Sequence, residues 1–359
     1  MQPHVEPLDA KHIEQLGIVV IGRNEGQRLM RALEVLLPLG IRVIYVDSNS
    51  SDGSADRARA LGAHVVELHE GKQTAARGRQ TGFEELCRLK PEVKLVQFVD
   101  GDCILDRDWL AVGVRFLEAH PRAAAISGSW TEEFPERSIY NAIISLEWAD
   151  VAGPADAPGG NSLCRVDALK AIGGWSVDLI AGEDPDLGFR LRDAGWEIYR
   201  LAEPMALHDI NMLSFRSYWM RCIRSGYGYL EVGWRHRRGT GRQWLLRVRS
   251  AVFYALLLPS LAIFGLVLAR RFSPWWIGAS LIACVAAAYA RMLWVTFLFA
   301  RHRRAPVRLA LSYSVLLFVS KFANVWGFGR LVISRITGTP TRLIEHKALS
   351  SPASGDHPA

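Results

Sequence analysis

KLVQFVDGDC, from Lys94 to Cys103, is a short apolar run that breaks on an Asp-Gly-Asp triplet. Lys94–Val99 reads as a buried strand, because β-branched and aromatic residues fill a run closed by turn-forming residues. Two aspartates at i and i+2 on an extended segment project to one side, and Gly101 between them lets a ligand approach closely. Paired carboxylates of this kind hold a hard divalent cation that also touches a diphosphate. A solvated Asp-Gly turn would carry the same letters, so the surrounding chain has to decide.

Upstream, Gly17–Gly22 (GIVVIG), Ile41–Val46 and Ala63–Leu68 read as three more strands, with helical stretches between them. Asn24 is placed to cap the helix carrying Leu29, Leu33, Leu36 and Leu37. Strands separated by helices imply a parallel sheet covered on both faces, with ligands at the carboxyl ends of the strands. The polar residues fall there: Asn24 and Glu25, Asp47, then Asp100 and Asp102. Asp47 opens a Ser- and Asp-rich loop that turn and cap chemistry would also explain. Arg77 and Arg79 follow; they either offset diphosphate charge or are solvated helix arginines.

Residues 129–209 are less regular and rich in Gly, Trp and acids. Gly182-Glu183-Asp184-Pro185-Asp186 would suit Asp184 as an N-cap, Pro185 as the first helical residue and Gly195 as the stop. A cap needs one carboxylate, however, and three crowd here, so one is available to take a proton. His208, after a further strand, is an ordinary structural histidine or a third metal ligand beside Asp102.

The charge divides unevenly. Residues 231–359 hold 18 Lys and Arg against three acids, and residues 1–230 hold 25 against 33. The basic part carries apolar spans at Ala251–Ala269, Trp275–Ala300 and Val307–Gly329, where about 20 residues cross a bilayer. Arginine clusters flanking such spans point to an anionic membrane surface and away from nucleic acid, since no stacking platform accompanies them. Arg291 and Lys321 sit inside spans and either snorkel or face the bundle interior. A third crossing would put Arg330, Arg335, Arg342 and Lys347 outside, against the positive-inside rule, so the third span is crossing, re-entrant or interfacial. The basic aromatic stretch Leu213–Leu230 lies in the membrane interface or packs as an ordinary helix. Met1–Leu16 is polar with no apolar core, so no signal peptide is expected. The tail from Leu349 is expected to be disordered. Five cysteines without a CxxC pair suit a reducing compartment and suggest neither zinc nor a disulfide framework.

Read in order, Gly22-Arg23-Asn24-Glu25, Asp47…Asp52-Gly53-Ser54, Gly78-Arg79-Gln80-Thr81-Gly82, Asp100-Gly101-Asp102, Gly173-Gly174-Trp175 and Gly182-Glu183-Asp184 resemble a family-2 glycosyltransferase of the GT-A fold, over about residues 17–228. The resemblance implies an α/β, Rossmann-like GT-A domain at 17–230 with a mostly parallel sheet. An N-terminal extension (1–16) precedes it, and a basic juxtamembrane segment (231–250), membrane helices (251–335) and a tail (336–359) follow. It implies that Arg23, Asn24, Glu25, Asp47, Arg79 and Asp100 bind a nucleotide-diphosphate sugar, and that Asp102 and His208 hold Mg²⁺ or Mn²⁺. Asp184, with Glu183, would be catalytic, and Gly160 and Asn161 would face the acceptor. The implied reaction is inverting transfer to a lipid-linked or saccharide acceptor at the cytoplasmic side of an inner membrane, in polysaccharide or glycolipid assembly. Gln80 stands where many members have Asn. The Gln-x-x-Arg-Trp motif of processive synthases is absent, so transfer of one or a few sugars is expected. The alternatives are an export scaffold with a transferase-like domain and a nucleotidyltransferase. Glu25 in the first loop argues against the second, and the retained Asp47, Asp100, Asp102 and Asp184 argue against the first.

Overall fold

The computed structural model describes residues 7–148, 152–238, 241–271, 274–339 and 341. The chain forms two compact units, one up to Phe134 joined by Glu147–Ile210, the other Pro135–Leu146 joined by the residues from Asn211 onward.

Among the described residues, the first unit is built on a nine-stranded mixed sheet. Its strands are β1 (Leu16–Gly22), β2 (Arg42–Asp47), β3 (His64–Glu67), β4 (Leu95–Asp100), β5 (Cys103–Leu105), β6 (Ala123–Glu132), β7 (Gly153–Pro154), β8 (Ser162–Arg165) and β9 (Glu197–His208). They run in the order β3-β2-β1-β4-β8-β6-β9-β5, with β7 beside β9. The four strands expected from the sequence are the parallel block. The strands after β4 supply the mixed half: β8 is antiparallel to β4 and β6, β5 and β7 are antiparallel to β9, and β6 runs parallel to β9.

Both faces are covered, as a buried parallel block requires. The strand period of two divides the core. Ile18 and Val20 pack with Leu29, Leu33, Trp109 and Val114 on one face, while Val19 and Ile21 pack with Phe83, Leu86, Leu169 and Leu187 on the other. Gly78 and Gly82 let the helix Ala75–Leu89 press onto β1. A Cβ at Gly82 would lie 2.3 Å from Val19 Cγ1. That close approach fixes where Arg79, between the two glycines, leaves the helix.

Two expected caps differ. The helix Gln27–Leu36 starts from Gly26 at φ +53°, not from Asn24. The helix Glu183–Asp193 is capped by Gly182 at φ +88°, so Asp184 lies inside its first turn. Positive φ is cheap only for glycine, which takes the cap position in both places.

In the second unit, the helix Phe215–Arg235 packs against Val307–Thr337, favouring the packed over the interfacial reading of that stretch. A Cβ at Gly226 would meet the Asn324 backbone at 2.3 Å, and one at Gly327 the Ile223 carbonyl at 2.2 Å. Arg335 reaches the buried Glu231 at 2.6 Å. Among the described residues, three helices, Gln243–Arg271, Trp276–His302 and Val307–Thr337, are long and apolar enough to cross a membrane. The tail from Leu349 lies outside the described residues.

Candidate functional site

Register brings the site together. Gly22 pairs with Asp47 and Ile21 with Asp100, so the carboxyl ends of β1, β2 and β4 lie side by side. The loops after β1 and β2 are laced: Asn24 N–H donates to Ser50 Oγ at 2.9 Å, and Ser51 N–H donates to Asn24 Oδ1 at 2.8 Å. Asn24 adopts φ +53° to do so. Asp47 is 1% exposed and accepts from Tyr45 Oη at 2.6 Å and Ser50 N–H at 2.7 Å. Burial and the adjoining Asp47 carboxylate hold the Tyr45 hydroxyl protonated, pushing its pKa far above the usual phenol value. Glu25 is buried, pairs with Arg28 at 2.9 Å, and lies against Gly22 and Gly101. Arg23 is half-buried.

Arg79 is the hub of the site. Its buried guanidinium lies 2.8 Å from Asp100, 3.4 Å from Glu183 and 3.5 Å from Asp184, over the Trp175 ring at 5.0 Å. Burial alone would lower its pKa; Asp100, Asp184 and Glu183 outweigh it and raise the value. One cation therefore ties the end of β4 to the first turn of the helix Glu183–Asp193. Asp186, the third acid of that cluster, turns away to Ser176 at 2.6 Å and Arg190 at 2.9 Å. Its i, i+4 spacing from Arg190 was the available sign of that structural role.

Gly160 is where Arg79 needs room: a Cβ there would lie 2.2 Å from Nη2. Asn161 is 2% exposed, and its amide bridges the site from beneath. Its Oδ1 accepts from Asp100 N–H at 2.6 Å and its Nδ2 donates toward Cys103 Sγ at 3.2 Å.

Asp102, Cys103 and His208 form the other pole, with one donor atom from each lying within 4.8 Å of the others. His208 Nε2 is 3.5 Å from Asp102, and Nδ1 is 3.7 Å from the buried Glu132. Trp148 sets its ring edge-on to the imidazole at 4.6 Å. An oxygen, a sulfur and a nitrogen donor with a carboxylate behind the imidazole suit a divalent cation. Sequence reasoning gave no site role to Tyr45, Cys103, Glu132, Trp148 or Trp175, although Cys103 and Trp175 stand in the quoted motifs. Tyr45, two residues before Asp47 on the same strand face, had a readable signal; the others depend on pairings distant in the chain.

The sequence pattern of the family described as Glycosyl transferase family 2 matches residues 17–171, and that of Glycosyl transferase family group 2 matches residues 95–300, more than half of the chain. The chain is similar to the pre-mycofactocin glycosyltransferase of Mycobacterium tuberculosis, with 29% identity over 228 residues, 57% of this chain and 45% of that one. It is also similar to the succinoglycan biosynthesis protein ExoA of Rhizobium meliloti, with 27% identity over 258 residues, 67% of this chain and 77% of that one. It spans less than half the length of the mycobacterial relative. Among solved structures, glucosyl-3-phosphoglycerate synthase from Mycobacterium tuberculosis aligns with a TM-score of 0.38 and 16% identity, over 54% of this chain and 71% of that one.

Proposed function

The chain belongs to glycosyltransferase family 2, and from that premise we propose that it moves a sugar from a nucleotide-diphosphate donor to a lipid-linked or saccharide acceptor with inversion. We place the reaction at the cytoplasmic side of an inner membrane, with the three apolar helices as the anchor. The observation that carries this reading is Arg79, which draws Asp100 and Asp184, residues from separate parts of the chain, to one buried cation.

In this reading Asn24, Glu25 and Asp47, with the half-buried Arg23, receive the nucleotide at the β1 and β2 ends, beside Asp100. Asp102 and His208 are the residues that would hold Mg²⁺ or Mn²⁺, and the donor set fits. A cation there supplies charge neutralisation on the departing diphosphate. Asp184, with Glu183 beside it, takes the proton of the acceptor hydroxyl as that oxygen attacks the anomeric carbon. The carbon–oxygen bond to the diphosphate breaks from the opposite face, which inverts the centre. Gly160 and Asn161 border the acceptor side. Relatives named for succinoglycan biosynthesis and for glycosyl transfer support a role in cell-surface polysaccharide or glycolipid assembly.

The test is a donor screen on purified membranes, measuring nucleotide-diphosphate release with Mn²⁺ and with chelator. Release with one donor, lost with chelator and in Asp102→Ala and Asp184→Asn, is the expected result. Full activity in Asp184→Asn removes that residue from the mechanism.

A further inference from the structure

Cys103 and His208 are directly opposed in the antiparallel pair of β5 and β9, so their side chains leave the same face of the sheet. Asp102 precedes Cys103, and the three donor atoms lie within 4.8 Å of one another. We propose that Cys103 is a third protein donor beside Asp102 and His208, giving a mixed oxygen–sulfur–nitrogen centre that takes thiophilic divalent cations such as Zn²⁺, Co²⁺ or Cd²⁺ more tightly than Mg²⁺. The proposal rests on the reading of Asp102 and His208 as metal ligands and adds the sulfur and the class of ion.

Asn161 supplies an independent argument. Its Oδ1 is committed to Asp100 N–H at 2.6 Å, which fixes the amide orientation and turns Nδ2 toward Cys103 Sγ at 3.2 Å. An amide N–H aimed at a sulfur that is 1% exposed orients the side chain, and it is a contact that a metal-bound sulfur can keep. The Glu132 carboxylate lies 3.7 Å from His208 Nδ1, too far for a direct hydrogen bond, while Nε2 faces Asp102 at 3.5 Å. Carboxylate and imidazole alone serve hard ions and intermediate ones; an added thiolate shifts preference toward softer ions. On binding, the metal–sulfur bond forms as the thiol proton passes to solvent and one metal-bound water leaves.

The experiment is titration of the full-length, detergent-purified protein with Co²⁺. Bound metal is counted by equilibrium dialysis, and the near-ultraviolet thiolate-to-cobalt charge-transfer band is recorded. A band in the wild type at one ion per chain, lost in Cys103→Ser and Cys103→Ala while Co²⁺ still binds, is the expected result. Cd²⁺ affinity falls in those variants by at least the roughly tenfold to hundredfold that loss of a mere outer-shell partner costs, with a much smaller change for Mn²⁺. X-ray absorption of the zinc-loaded wild type, expected to show one sulfur among the nearest neighbours, needs no variant and stands if the substitutions fail to fold. Co²⁺ bound in a manner sensitive to Asp102→Ala and His208→Ala but without a thiolate band overturns the role of Cys103 and leaves the metal reading intact. Failure to bind Co²⁺ at all removes both.

Discussion

Arg79 Nη1 lies 3.5 Å from Asp184 Oδ1 while its Nη2 holds Asp100 at 2.8 Å, so one fully buried guanidinium bridges the two acids that the proposed chemistry separates into base and nucleotide contact. Breaking a buried ion pair from one side costs about 3–5 kcal/mol, because the remaining charges stay desolvated. Here three carboxylates would be left facing one another. Arg79→Ala is therefore expected to lower stability by roughly that amount and to abolish nucleotide-diphosphate release. Arg79→Lys restores the charge but neither the two-pronged geometry nor the stack on Trp175. It should fold and still lose most activity. Thermal unfolding in detergent, read beside donor turnover, checks both.

Gly160→Ala tests the same hub by steric means. The added Cβ would stand 2.2 Å from Arg79 Nη2 and 3.1 Å from Asp100 Oδ2. The guanidinium cannot retreat, being held among Asp100, Glu183 and Asp184 above Trp175. Overpacking of this kind costs about 1–3 kcal/mol, and a displacement near 1 Å at a reacting centre can cost about a hundredfold in rate. The variant should keep its fold while kcat/KM falls by about that factor, as steady-state kinetics would show.

The parallel half of the sheet was legible because β1, β2 and β4 are buried β-branched runs ending on polar residues, a pattern that burial on both faces imposes. In the mixed half only the strand leading to His208 was expected; β5, three residues long, and β7, two, are too short for a period to show. At the site, Asp100, Asp102 and Asp184 stood out as carboxylates beside glycine or proline. Cys103 gave no signal, since its partner His208 reaches it only through the β5–β9 pairing. The cap expected at Asn24 failed for a related reason: its side chain is used by Ser51, a contact between loops that local propensity does not describe.

Tyr45→Phe keeps the ring in the core and removes one bond from the Asp47 carboxylate. A hydrogen bond to a charged, buried acceptor contributes about 1.5–3 kcal/mol, and Ser50 N–H alone would then orient Asp47. Stability should drop within that range in denaturant unfolding. Because Asp47 is assigned to the nucleotide, donor KM should rise more than kcat falls; a change confined to stability would leave Asp47 as a loop organiser only.

Glu85 sets a pH dependence away from the site. Arg88 donates to it at 2.7 and 2.8 Å and His64 lies at 2.7 Å, and these partners, Arg88 first, depress its pKa from 4.5 to about 2. A carboxyl depressed on folding contributes stability that is fully present above 4.5 and disappears as the pH falls toward about 2. Glu85→Gln should therefore be less stable than the wild type at neutral pH, with the gap closing through that acid window and narrowing in high salt, since the cluster is partly solvated. Unfolding midpoints of the two proteins across the acid range check this. Parallel curves at every pH would show that the bonds to Arg88 and His64 do not persist in solution.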